Sequence, residues 1–155
     1  MIQYCTFWTG GHLYGVDIRF VKEINGETAF TPLPHASPKI RGYVNIRGQI
    51  HLILDLRTIL GYEGAAGGAD AKLVLFKPAV GEAFGVLVDK VEDIVTAEDG
   101  QIEPKLEAAD EKGVAAVAVA TCVLADRIVT VIDPHALLGQ VGNVKNAGES
   151  HNFIN

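Results

Sequence analysis

Apolar and polar residues alternate along most of this chain, in short runs broken by glycine, proline and asparagine. Period-two patterning marks half-buried strands, because successive side chains of a strand point to opposite faces. Gln3–Thr9 and Leu13–Ile18 flank Gly10-Gly11, and two glycines supply the positive φ of a tight hairpin turn. Further strand-like runs fall at Arg19–Asn25, Tyr43–Arg47, Gln49–Leu54, Lys72–Lys77, Ala83–Val95, Val114–Leu124 and Arg127–Ile132. The segment Thr31–Pro38 carries three prolines and reads as an extended crossover, since proline cannot donate to a ladder. The glycine- and alanine-rich stretch Gly61–Ala69 reads as a flexible connection. Short strands rich in valine and isoleucine, separated by turn signals, predict an all-β fold of barrels or a sandwich.

The pattern is written twice. Shifted by 70 residues, Tyr14–Ile24 lies over Phe84–Ile94, with aromatic, Gly, Val, aliphatic and Ile coinciding. Shifted by 78, Ile50–Gly61 lies over Ile128–Gly139, aligning Asp55 with Asp133. Two ordered matches at nearly equal offsets predict one barrel motif duplicated, with cores at about 14–61 and 84–139. A unit of about 70 residues has a marginal core on its own, so the halves should pack together or exchange a strand, leaving a groove between them. The expected organisation is a single domain over 1–139, followed by a polar tail over 140–155.

Composition narrows the function classes. Nearly half of the 155 residues are apolar, enough for a real core. Nineteen acidic against thirteen basic residues give a net charge of −6 with no basic cluster, which opposes binding to nucleic acid or an anionic lipid surface. The N-terminus has neither a basic region nor an apolar one, and no apolar run approaches about 18 residues, so a cytoplasmic protein without direct membrane insertion is expected. Cys5 and Cys122 stand in apolar strand-like runs without metal-site spacing and read as small buried hydrophobes.

Candidate chemistry is sparse. Asp55 and Asp133 each end a strand and begin a short helical stretch, the position of an N-cap that accepts orphan backbone N–H groups; Gly61 and Gly139 would close those helices in the left-handed conformation. Ser37 and Ser150 lack the glycines of a nucleophile elbow, and the five histidines have no paired ligand spacing, so no catalytic residue, metal or cofactor is expected. Trp8 reads as core.

What stands out is Arg47, a cation between two apolar runs and bracketed by the turn residues Asn45 and Gly48. On the preceding strand, alternation places Val21 and Glu23 on one face, from which Glu23 can meet Arg47. Such a pair is either an ordinary surface ion pair or the polar element of a docking patch in which Val21, Ile18 and Ile50 offer apolar area.

The chain from Gln3 to Leu138 resembles the CheW-like family, the adaptor domains of bacterial chemotaxis signalling. The likeness rests on Tyr14-Gly15-Val16-Asp17-Ile18, Val21-Lys22-Glu23-Ile24, Pro32-Leu33-Pro34, Ile40 through Ile50, Leu54-Asp55-Leu56-Arg57, Phe84 through Val91 and Ile102-Glu103-Pro104. The resemblance implies two packed five-stranded SH3-like barrels with short helices, and an adaptor without catalysis. Its implied partners are the cytoplasmic tip of a methyl-accepting chemotaxis receptor and the regulatory domain of the histidine kinase CheA. Arg47, Val21 and Glu23 are the implied receptor-side residues; no kinase-side residue is carried over. A paralogue serving pilus or gliding motility, or a small-ligand binder using the groove, are the alternatives. The chain departs from many relatives at His51-Leu52, where they carry an apolar residue followed by proline, and His51 is expected to face solvent. The tail, with Phe153 and Ile154, either packs across a barrel or stays free.

Overall fold

The computed structural model describes residues 1–27, 29–106 and 111–141. Strands β1 (Ile2–Thr9) and β2 (His12–Asp17) form the first hairpin, and a 3-10 turn over Ile18–Phe20 leads into β3 (Val21–Asn25). After the proline-rich crossover come β4 (Ile40–Ile46), β5 (Gln49–Asp55) and α1 (Leu56–Leu60). Next are β6 (Lys72–Phe76), β7 (Phe84–Val88), β8 (Lys90–Ala97), a 3-10 turn and β9 (Ile102–Pro104). The described chain then runs through α2 (Val114–Val117), β10 (Ala118–Val123), β11 (Ile128–Ile132) and α3 (Pro134–Gly139). The expected tail lies outside the described residues from 142 onward, Phe153 and Ile154 included.

The strands form two sheets of matched order. One runs β3-β6-β7-β5-β4, and the other β8-β1-β2-β11-β10 with β9 added at the end. The second sheet therefore has six strands where five were expected, because β9 pairs with β10 through Ile102, Glu103 and Pro104. Each sheet holds one parallel contact. Leu52 and Ile53 lie opposite Phe84 and Gly85 in the first, and Thr130 and Val131 opposite Tyr14 and Gly15 in the second. The same shifts of 78 and 70 residues carry one set of partners onto the other. Even an irregularity repeats, since the β4–β5 register slips between Ile40 and Gly42 and the β10–β11 register between Ala118 and Ala120. Strands β1 and β2 thus sit with the C-terminal strands, while β6 and β7 sit with β3, β4 and β5.

Alternation along the strands feeds separate cores. In the first sheet Ile53, Leu73, Leu75 and Leu87 gather with Val44 and Ile46, whereas their neighbours Leu54, Val74, Phe76, Val86 and Val88 turn the other way. That second set meets Cys5, Phe7, Tyr14 and Val16 of the other sheet, so the largest core lies between the sheets. A third cluster, with Tyr4, Leu13, Cys122, Val129 and Val131, belongs to the six-stranded sheet. Both cysteines are buried free thiols, and Trp8 is half-buried against the third cluster. Gly85 is required by close approach: a Cβ there would stand 2.5 Å from the Val74 carbonyl oxygen and 2.7 Å from Leu75 Cδ2.

Several expected runs change course. Ala83–Val95 is two strands because the chain passes from one sheet to the other at Asp89, and Arg19–Asn25 begins as a 3-10 turn because β2 and β3 also belong to different sheets. Val114–Leu124 opens with α2; its all-apolar start lacks the polar alternation that separates strand from helix. Gly61 closes α1 at φ 89°, whereas Gly139 is itself the last helical residue of α3, and Gln140 follows in a right-handed conformation. The Gly61–Ala69 connection is tied at its middle: Ala66 is buried and its N–H bonds both oxygens of Asp55, at 3.2 and 3.1 Å.

Candidate functional site

Strand β3, one edge of the five-stranded sheet, meets the tip of the β4–β5 hairpin at the other edge through side chains rather than a backbone ladder. Arg47 Nη2 donates to Glu23 Oε1, and Lys22 Nζ donates to Gln49 Oε1 at 3.1 Å. Glu23 Oε2 also accepts from Asn25 Nδ2 at 3.3 Å. The Arg47 hydrogen bond holds the Glu23 carboxyl below the usual carboxylate range, against an opposing desolvation. At the seam the Arg47 side chain is 68% accessible and that of Glu23 21%.

Arg47 stands there because of its turn. Ile46 pairs with Gln49, so Arg47 and Gly48 are the two central residues of the hairpin, at φ 51° and 86°. Two positive φ values suit the right-handed twist of a hairpin, but Asn, Asp or Gly normally take the first of them. An arginine in that place holds a left-handed backbone that β-carbon sterics disfavour. Asn45, one residue before the turn's flank, accepts the Gly48 N–H on Oδ1 at 2.8 Å.

The expected patch is assembled in part. Arg47 and Glu23 meet, and Ile50 beside them is 55% exposed. Val21 and Glu23 do not share a face as alternation predicts. The register slips between them, so Val21 lies opposite Phe76 and Glu23 opposite the next residue, Leu75, and consecutive strand residues point to opposite sides. Val21 accordingly packs against the inter-sheet core. Ile18 is half-buried in the 3-10 turn ahead of β3. His51, expected in solvent, is 2% exposed; it shares the face of Ile53 and sets Nδ1 3.1 Å from the Gln49 carbonyl oxygen. Lys22, Gln49, Asn25 and the exposed Ile24 were not anticipated, because only the bulge and the meeting of two edge strands bring them to this place.

The repeat supplies an internal comparison. At the equivalent seam of the six-stranded sheet, Lys22 becomes Glu92 and Gln49 becomes Arg127, and these two form a 3.9 Å ion pair. Arg47 becomes Ala125, Asn45 becomes Val123 and Gly48 becomes Asp126. Neither Ala125 nor Asp126 takes a positive φ. The second seam is bridged without an arginine on a left-handed turn.

A separate polar cluster joins the two sheets. Asp89 Oδ2 accepts from Arg57 Nη1 at 2.9 Å and from the Gly10 N–H at 3.0 Å, tying α1 to the β1–β2 turn. Tyr14 and Tyr62 share a hydroxyl hydrogen bond, and Tyr62 reaches His12 Nδ1 at 2.9 Å. Burial, together with that shared bond, raises the Tyr14 phenol well above its ordinary value. These contacts tie the two halves together. Asp55 and Asp133 are helix caps as expected, accepting the N–H groups of Thr58 at 3.1 Å and His135 at 3.0 Å. Among the described residues no cluster of His, Cys, Asp and Glu could hold a metal ion, and no helix is long and apolar enough to cross a membrane.

The fold and the seam define a tandem β-motif protein that presents a charged, strained turn at the meeting of two sheet edges. A CheW-like domain model matches residues 3–142. The chain is 36% identical over 98 residues to a chemotaxis protein CheW of Rhizobium meliloti, a match that spans 63% of each chain. It is 30% identical to the CheW of Klebsiella aerogenes, over 96% of this chain and 90% of that one. The crystal structure of the scaffolding protein TtCheW from Thermoanaerobacter tengcongensis superposes with a TM-score of 0.79 at 24% identity, covering 88% and 92% of the two chains. The protein belongs to the CheW-like family.

Proposed function

We propose that this protein couples a methyl-accepting chemotaxis receptor to the histidine kinase CheA, as a non-catalytic cytoplasmic scaffold. In this reading the receptor's helical tip docks on the first seam, where Arg47 and Glu23 supply the polar contact and Ile50, with the outer parts of Val21 and Ile18, the apolar one. The regulatory domain of CheA occupies another surface. The tandem sheets act as one domain over 1–139, and the net charge of −6 leaves nucleic acid and anionic membrane surfaces out of the partnership.

The observation that carries this reading is the contrast between the seams. The second is bridged by Glu92 and Arg127 while Ala125 fills the turn, so an arginine at Arg47 is unnecessary for holding two edges together. The fold nonetheless keeps an arginine in a strained conformation, with its guanidinium exposed and aimed by a carboxylate. Strain of that kind clusters at functional sites, where the surrounding structure holds it in place.

Titration of the purified protein with a receptor-tip bundle and, separately, with the CheA regulatory domain tests the proposal. The native protein should bind both, and Arg47→Glu should bind the kinase domain alone while keeping its melting temperature. An Arg47→Glu variant that unfolds, or that still binds the receptor bundle, removes the assignment. Combining it with Glu23→Arg should restore part of the receptor binding, since the pair is then rebuilt with its charges exchanged.

A further inference from the structure

We propose that Asn45 is a positioning residue for Arg47, holding the turn in the conformation that aims the guanidinium at Glu23 and at a receptor. This rests on the coupling role of the first seam and names a residue through which that site is set. Asn45 is exposed on β4 and contributes nothing to a core, yet its side-chain oxygen folds over the turn to accept the Gly48 N–H at 2.8 Å. That N–H belongs to the peptide linking Arg47 and Gly48, so the bond spans the turn from Asn45 to Gly48 and holds the loop closed in the form in which Arg47 takes φ 51° and Gly48 86°.

The placement of residue types agrees with this. Asparagine is the side chain that best tolerates the first position of such a turn, and this chain puts one two residues earlier, leaving the strained position to arginine. The second hairpin lacks the asparagine. Val123 stands in its place, Ala125 replaces the arginine, and neither central residue takes a positive φ although Val123 still pairs with Ile128 as Asn45 pairs with Ile50. Asparagine and left-handed arginine occur together in one copy of the motif and are absent together from the other. The far end of the same chain of contacts is held by a second asparagine, Asn25, which orients the free oxygen of Glu23.

The test is Asn45→Ala in the full chain, read by nuclear magnetic resonance and by titration with a receptor-tip bundle. In the native protein a strong intraresidue HN–Hα contact at Arg47 reports the positive φ, and the Gly48 amide exchanges slowly. In Asn45→Ala the contact should weaken, the Gly48 amide should exchange faster, and receptor affinity should fall about fivefold, the effect of one lost hydrogen bond. Affinity for the CheA regulatory domain should not change. An Arg47 signature and Gly48 protection unchanged in Asn45→Ala overturn the proposal, as does receptor affinity equal to that of the native chain. A native protein that ignores the receptor bundle defeats the coupling role instead, and the two resonance readouts then still decide whether Asn45 sets the turn.

Discussion

Replacing Arg47 with asparagine should separate stability from function at a single position. The backbone there has φ 51° and is followed by Gly48 at 86°, the two-residue turn for which Asn-Gly is the preferred pair. A left-handed conformation costs an ordinary L-residue about 1–2 kcal/mol, and asparagine, whose short polar side chain bonds locally, recovers part of that. The ion pair with Glu23 is lost, but the guanidinium is mostly in water and such pairs contribute little to folding. No core cluster contains Arg47, so no cavity opens. A net gain of up to about 1 kcal/mol corresponds to a melting temperature raised by about 2–4 °C for a chain of this size. Thermal unfolding followed by circular dichroism, beside titration with a receptor-tip bundle, should therefore show Arg47→Asn at least as stable as the native protein and without receptor affinity. A melting temperature lowered by more than about 3 °C would mean the arginine holds the seam, and undiminished binding would mean that it does not contact the receptor.

The two helix caps should differ in weight. Asp133 accepts the His135 amide and is half-exposed, so Asp133→Ala should cost about 1 kcal/mol in urea unfolding. Asp55→Ala should cost about 2–3 kcal/mol, because that carboxylate is buried and also holds the Ala66 amide of the long connection. Gly85→Ala should destabilise by about 1–3 kcal/mol, as its Cβ would meet the Val74 carbonyl and Leu75 in a packed strand; folding at native stability would contradict the packing described. Glu23 has its ionised form favoured by Arg47, so the pair is complete above the ordinary glutamate value of about 4.3 and is lost as pH falls through the lower folded value. A carboxyl carbon titration should place the Glu23 midpoint below that value, and Arg47→Asn should bring it back up.

Much of the architecture was legible in the linear pattern. Period-two alternation located the strands in both copies of the repeat, since alternation is a property of the backbone that every sheet shares. The offsets of 70 and 78 residues marked the duplication, though not the two parallel contacts that repeat with it, at Leu52 with Phe84 and at Thr130 with Tyr14. The helix caps were legible for a similar reason, because capping joins residues a few positions apart. So was the turn at Arg47, where Asn45 and Gly48 are local signals of a bend.

The rest belongs to the tertiary structure. Where the chain changes sheet, at Ile18–Phe20 and at Asp89, no residue pattern marks the event, because an apolar side chain serves either sheet equally well. The bulge that separates the faces of Val21 and Glu23 is a property of the pairing with β6, invisible in one strand read alone. His51 is buried because β5 turns that face onto Val44 and Ile53, a choice made by register and not by the histidine. The sequence alone determined the elements, the repeat and the exposed arginine, all of which depend on short-range chemistry. Only folding decided that Glu23 on one edge strand would meet Arg47 on the turn that follows the other, because the distance between two edges of a curved sheet is set by every strand that lies between them.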